Sequence, residues 1–297
     1  MNRGTSRAIG IGLTAVLLAA LCSCDDKKSP GATHQIAGKL SDEAGKPLSN
    51  VKVSVFGYPR GNQETFAQVL EVAGPADRYS VEVPEGTYEA PRANVSVTYH
   101  GRKYVLPLAS ADGTRDWGEQ KDSKAGLVRD FVWRISGERQ TVLGESKEAA
   151  GFWGAAINLD KGADVGDFGT IEVTLTPDGP LIDGSTGKVL TYKRVIPWQK
   201  HEDHLLTDVP IGRYVASAKI FASGSDKARP LRLVVTGGNP TKVDESSSGS
   251  TAEKVVVEFE QAEAKPGVGS GGAPGQEPKL YVPSLLVFPE KDRRVFQ

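Results

Sequence analysis

The chain is punctuated too often for helices. From residue 35 to residue 259, short runs in which an aliphatic residue or tyrosine alternates with a polar one are each ended by Gly, Pro, Asp or Asn. Val51-Lys52-Val53-Ser54-Val55, Tyr79-Ser80-Val81-Glu82-Val83 and Ile171-Glu172-Val173-Thr174-Leu175 are the clearest of them. Alternation with a period of two puts one face of a strand into a core and the other into water. No stretch of three helical turns carries a 3.6-residue apolar period, so the pattern predicts an all-β chain.

The first residues follow another rule. Arg3 and Arg7 form a positive start, and Ala8 to Leu21 runs fourteen residues without a charge. That length suits the apolar region of an export signal and falls short of the roughly 20 residues of a membrane-crossing helix. The run ends in Leu21-Cys22-Ser23-Cys24, which resembles the lipobox of bacterial lipoproteins: an aliphatic residue, two small ones, then the cysteine. The resemblance implies that residues 1–23 are a signal peptide, that Cys24 is lipidated, and that residues 24–33 tether the protein to a membrane of a bacterial cell envelope. Asp25 bears on whether that membrane is the inner or the outer one, without deciding it.

Cys22 and Cys24 are the only cysteines. If one leaves with the signal and the other carries lipid, the mature protein has neither a disulfide nor a cysteine metal site. Loss of Arg3 and Arg7 takes the formal charge from −1 to −3, a balance that argues against a nucleic-acid partner. About 270 remaining residues suggest two domains.

Seven strand candidates fall between residues 34 and 108, separated by turns such as Asp42-Glu43-Ala44-Gly45-Lys46-Pro47 and His100-Gly101-Arg102. Strands this short and this frequent describe a β-sandwich. Ile36 to Val53 (strand, Gly, Asp-x-x-Gly-x-Pro-Leu, strand) resembles the opening of carboxypeptidase regulatory-like domains. Tyr79 to Tyr88, ending in Pro84-Glu85-Gly86-Thr87-Tyr88, resembles their second signature. The Thr-x-Asp-x-x-Gly that usually precedes it is replaced here by Val72 to Arg78. The resemblance covers about a quarter of the chain and implies a seven-stranded prealbumin-like sandwich acting as a non-catalytic accessory module.

Val209-Pro210-Ile211-Gly212-Arg213-Tyr214 echoes Val83 to Tyr88, so residues 126–262 read as a second β-sandwich joined to the first by a linker at 109–125. Residues 263–279 are rich in Gly and Pro and read as a flexible linker. Within 280–297, Tyr281 to Phe288 is apolar and suits an edge strand, since Pro283 is tolerated only at an edge.

Candidate chemistry is sparse. Gly267 to Gly272 matches Gly-x-Gly-x-x-Gly but sits inside the Gly/Pro linker, without the strand and helix a phosphate site needs. His201-Glu202-Asp203-His204 is one residue short of His-Glu-x-x-His and reads as a polar loop. Asp160, Asp164 and Asp167 share a loop whose spacing matches no EF-hand. The chain lacks the His-x-x-Glu of the peptidases for which the regulatory-like domain is named, the Gly-x-Ser-x-Gly elbow, and the Tyr-Arg-Gly-Ser ending of a ureide-pathway hydrolase that shares the transthyretin-like fold. Of Trp117, Trp133, Trp153 and Trp198, the last stands beside Pro197 in a polar stretch and is the best candidate for an exposed sugar-stacking ring. The expectation is a membrane-anchored, non-enzymatic envelope lipoprotein with no cofactor and no metal, whose sandwiches bind a protein or a glycan. The alternative is a carbohydrate-binding lipoprotein for polysaccharide capture.

Overall fold

The computed structural model describes residues 34–62, 64–113, 119–140, 151–162, 165, 169–236, 252–261, 280–281 and 283–289. The signal segment 1–23, Cys24 and its tether, Trp117, Asp164, Asp167 and the linker 263–279 lie outside them.

The fold is all-β, in two bodies. Among the described residues the first contains β1 (Gln35–Asp42), β2 (Val51–Pro59), β3 (Phe66–Val72), β4 (Arg78–Glu82), β5 (Gly86–Tyr88), β6 (Arg92–Tyr99), β7 (Arg102–Pro107), β8 (Ala109–Ser110), β9 (Lys121–Asp122), β10 (Leu127–Val128) and β11 (Phe131–Trp133). The first seven fall where the alternation places them. In one sheet β2 carries β3 on one side and both β6 and β5 on the other, with β7 beyond β6 and β9 beyond β5. The other sheet is centred on β1, with β4 antiparallel on one side and β10 and β11 parallel on the other. Val51, Val53 and Val55 of β2 face Ile36, Leu40, Tyr79 and Val81 across the buried core.

The linker expected at 109–125 is part of this sandwich, and so are residues 127–133, expected in the second. β8 pairs with β11, β9 with β5, and β10 and β11 add to β1. These strands are two or three residues long, too short for alternation to register, and both residues of β9 are exposed. Their addition explains Gly38. A Cβ there would sit 1.9 Å from the carbonyl oxygen of Arg129, which crosses over the glycine and accepts a hydrogen bond from the Tyr79 phenol at 2.9 Å.

The second body contains β12 (Ala155–Lys161), β13 (Gly169–Pro177), β14 (Leu190–Ile196), β15 (Leu205–Val209), β16 (Arg213–Ala222), β17 (Ala228–Thr236), β18 (Lys254–Glu258), β19 (Glu260–Gln261), β20 (Leu280–Tyr281) and β21 (Ser284–Pro289). One sheet runs β14-β13-β16-β17-β21-β12-β15, with β18 also on β16 and the short β19–β20 pair apart. It curls until its two ends meet. Arg194 on β14 donates to the carbonyl oxygen of Leu205 from Nε (3.1 Å) and Nη2 (2.5 Å), and the Tyr192 phenol donates to that of Thr207 (3.2 Å).

β21 is central, not the edge strand expected of residues 280–297. It lies antiparallel to β17 and parallel to β12, with Leu285 and Val287 fully buried. Pro283 is compatible because it precedes the strand and serves only as an acceptor, for the Asn158 N–H at 2.9 Å.

The repeated Val-Pro-x-Gly-x-Tyr is the same device in both bodies. The Tyr88 phenol donates to the carbonyl oxygen of Pro84 at 2.8 Å, and the Tyr214 phenol to that of Pro210 at 2.7 Å. Each is a tyrosine corner, in which a phenol bonds back to the turn before its strand. The first also needs a glycine, because a Cβ on Gly86 would stand 2.3 Å from the carbonyl oxygen of Tyr58.

Candidate functional site: the clasp and groove between the two bodies

The hairpin of β6 and β7 holds the second body. Alternation sends Tyr99 and Tyr104 to the same side, and the hairpin projects both toward the loop after β13 and the chain beyond β18. The Tyr99 phenol donates to the carbonyl oxygen of Pro180 at 2.9 Å and accepts the Arg213 N–H at 3.0 Å. The Tyr104 phenol donates to the carbonyl oxygen of Phe259 at 2.6 Å. Arg102 pairs with Glu260 at 2.7 Å. The Gln261 side-chain amide then behaves like another strand. Its oxygen accepts the Val105 N–H at 2.6 Å, and its nitrogen donates to the Val105 carbonyl oxygen at 2.7 Å. On the other side of the junction, Asp208 accepts the Gly137 N–H at 2.7 Å.

Two of these phenols sit where charge is unwelcome. Burial, reinforced by the Glu258 carboxylate, pushes Tyr104 up to about 12. Burial likewise raises Tyr99, against the lowering effect of the Arg213 N–H bond. Both are therefore neutral donors at physiological pH.

Beside the clasp a groove of about 740 Å³ opens between the bodies. The outer faces of β2, β3, β6 and β7 form one wall, with Lys52, Glu71, Thr98 and Lys103 along it. Trp133 and the loop 46–50 close one end, and Ile182, Asp183 and Gly184 supply the second body's side. Lys52 and Glu71 pair at 2.6 Å, and that bond holds the Glu71 carboxyl below its usual range. The lining mixes apolar, hydroxyl and both signs of charge, so it offers contacts to a polar ligand or a peptide.

The other sequence candidates lie elsewhere. Trp198 is half-buried against the core and stacks on His204, ring centroids 5.4 Å apart and planes at 22°. The second body has thus already used one face of the ring expected to be open for a sugar. Trp153 lies under the Arg139 guanidinium at 4.6 Å. His201–His204 forms a 3₁₀ turn in which Asp203 accepts the N–H groups of Gln199 and Lys200, and those two bonds hold its carboxyl below the usual range. His204 Nδ1 lies 3.9 Å from Asp160. Among the described residues no group of three or more His, Cys, Asp or Glu could hold a metal ion, and no helix is long and apolar enough to cross a membrane. Tyr99, Tyr104 and Gln261 had no sequence signal as clasp residues, because their partners are 81, 155 and 156 residues away.

No protein-family model matches the chain, and no curated protein matches it. Among solved structures, the major pilin protein T-13 from Streptococcus pyogenes serotype GAS131465 aligns at 11% identity and a TM-score of 0.23, covering 87% of this chain and 97% of the pilin. A variant of the major pilin from Streptococcus pyogenes aligns at 8% identity and a TM-score of 0.20, covering 86% and 97%. Likeness this slight carries no functional argument.

Proposed function

We propose that this is a lipid-anchored, non-enzymatic protein of a bacterial cell envelope, whose two clasped sandwiches bind a protein or glycan in the groove between them. The lipobox ending at Cys24 supports the anchor. The observation that carries the binding role is the groove itself. Its walls come from two bodies held in one relation by direct contacts from four residues, Tyr99, Arg102, Tyr104 and Gln261, so its shape is set before a ligand arrives. Carbohydrate capture is the second reading, supported by Trp133 at the groove's end.

One experiment with two arms tests this. In the full-length chain, globomycin treatment or Cys24→Ala releases the protein from membranes; a Cys24→Ala protein that stays bound after signal removal defeats the anchor. A photo-cross-linking residue placed at Thr98 or Asp183, on opposite walls, captures the same adduct in cells, and one placed at Val195 on a remote exposed face does not. Sensitivity of the adduct to protease or to glycosidase separates protein from glycan. Equal capture at all three positions removes the groove from consideration.

A further inference from the structure

By formal charge the groove is balanced. Three lysines, Lys46, Lys52 and Lys103, line it together with three carboxylates, Asp42, Glu71 and Asp183. By hydrogen bonding it is not balanced. The protein's own donors engage every one of the carboxylates. Asp42 Oδ1 accepts the N–H groups of Ala44 at 2.9 Å and Lys46 at 2.8 Å. Asp183 Oδ1 accepts the Ser185 N–H at 2.9 Å and the Ser185 hydroxyl at 2.6 Å. Glu71 pairs with Lys52 at 2.6 Å. Lys46 and Lys103 are exposed, and among the described residues neither ammonium forms an ion pair or donates a hydrogen bond. An ammonium carries three donors and no acceptor. The lining therefore leaves open two places for an acceptor that brings negative charge.

We infer that the groove takes an acidic oligosaccharide, with Lys103 and Lys46 holding its anionic groups; this rests on the groove's being the binding site and names what fills it. Ser49, Ser96 and Thr98 add hydroxyls to the lining, each able to give and to accept a hydrogen bond with a sugar hydroxyl. Half-buried Trp133 supplies an aromatic ring at the closed end, against which the apolar face of a sugar can pack. An acidic peptide fits this wall less well. An extended peptide gains its main-chain hydrogen bonds by adding to a strand edge. This wall is instead a sheet face: β2 is paired on both sides, by β3 and β6, and β6 is paired by β2 and β7. The contacts left to a ligand there come from side chains, and they are hydroxyls, ammonium groups and one aromatic ring.

An oligosaccharide array probed with the detergent-solubilised full-length chain tests this. It carries uronate and sulfated oligosaccharides, each beside a neutral counterpart of the same length: the methyl ester for a uronate, the unsulfated sugar for a sulfate. The parent chain binds the acidic members over their neutral counterparts, and the difference shrinks as added salt screens the charges. Lys103→Gln and Lys46→Gln each weaken acidic binding about tenfold, the weight of one charge-assisted hydrogen bond. Lys254→Gln, at an exposed lysine outside the groove, leaves it unchanged. All three positions are exposed, so urea unfolding of the variants matches the parent and separates lost binding from lost fold. Acidic members bound no better than neutral ones, acidic binding that survives both groove substitutions, or an equal loss at Lys254→Gln each overturns the inference. The groove reading fails separately. Photo-cross-linkers at Thr98 and Asp183 that capture an adduct in cells while the array stays empty keep the groove as a binding site and discard the acidic sugar.

Discussion

At the scale of single residues, the two tyrosine corners are the most informative positions. Tyr88 and Tyr214 are both fully buried and donate to a carbonyl four residues upstream. Removing the Tyr214 hydroxyl takes the phenol donor from the Pro210 carbonyl, which costs about 1–3 kcal/mol, whereas Pro84 keeps a bond from the Ser123 hydroxyl at 3.2 Å, so losing the Tyr88 hydroxyl costs about 0.5–1.5 kcal/mol. Tyr88→Phe and Tyr214→Phe should each lower the unfolding free energy by those amounts, read in urea as a lower midpoint at unchanged slope, because the surface exposed on unfolding is unchanged. A loss below a few tenths of a kcal/mol in either would mean the corner contributes only by packing. These corners were legible in the sequence because the interaction is local: Pro-x-Gly-x-Tyr contains donor, acceptor and turn within five residues. The surroundings of Trp198 are the opposite case. A polar neighbourhood in sequence gave no sign that His204 folds back over the ring.

At the scale of elements, alternation located strands that are long and buried on one face, and failed for the rest. β1, β2, β4, β6 and β7 follow it, since each has a core row and a wet row, while β3 has no fully buried residue and β5 is only three residues long. β8 to β11 are too short to show a period, and β21 resembled an edge only because a proline stands just before it. The capped edge of β7 is a further case, because the cap is a side chain. Gln261 satisfies the N–H and the carbonyl of Val105 together. Gln261→Met keeps the length and apolar stem but strips both bonds. It should cost about 1–3 kcal/mol, seen in denaturant unfolding, and should raise hydrogen exchange at the Val105 amide specifically. Unchanged exchange at Val105 would show that the edge does not depend on this residue.

At the scale of the whole molecule, the clasp decides whether two sandwiches behave as one. Its two phenols bond as neutral donors, and both have raised pKa values in the folded protein. The sign follows from linkage. The unfolded chain releases its tyrosine protons near pH 10, while folded Tyr104 holds its own to about 12. Stability from this group is therefore complete below about pH 10 and drains away as pH climbs toward 12. Ionised Tyr104 can no longer donate to the carbonyl of Phe259, and its charge would be added beside Glu258 and Glu260. Calorimetry near neutral pH should thus give a single transition for both bodies, which separates into two as pH passes about 10. Tyr104→Phe discriminates the clasp from general alkaline unfolding. It lacks the hydroxyl, so it should lose about 1 kcal/mol at neutral pH, then lose less than the parent between pH 10 and 12. If the parent already shows two transitions at neutral pH, the bodies are independent, and a groove of fixed shape between them is no longer a sound basis for binding.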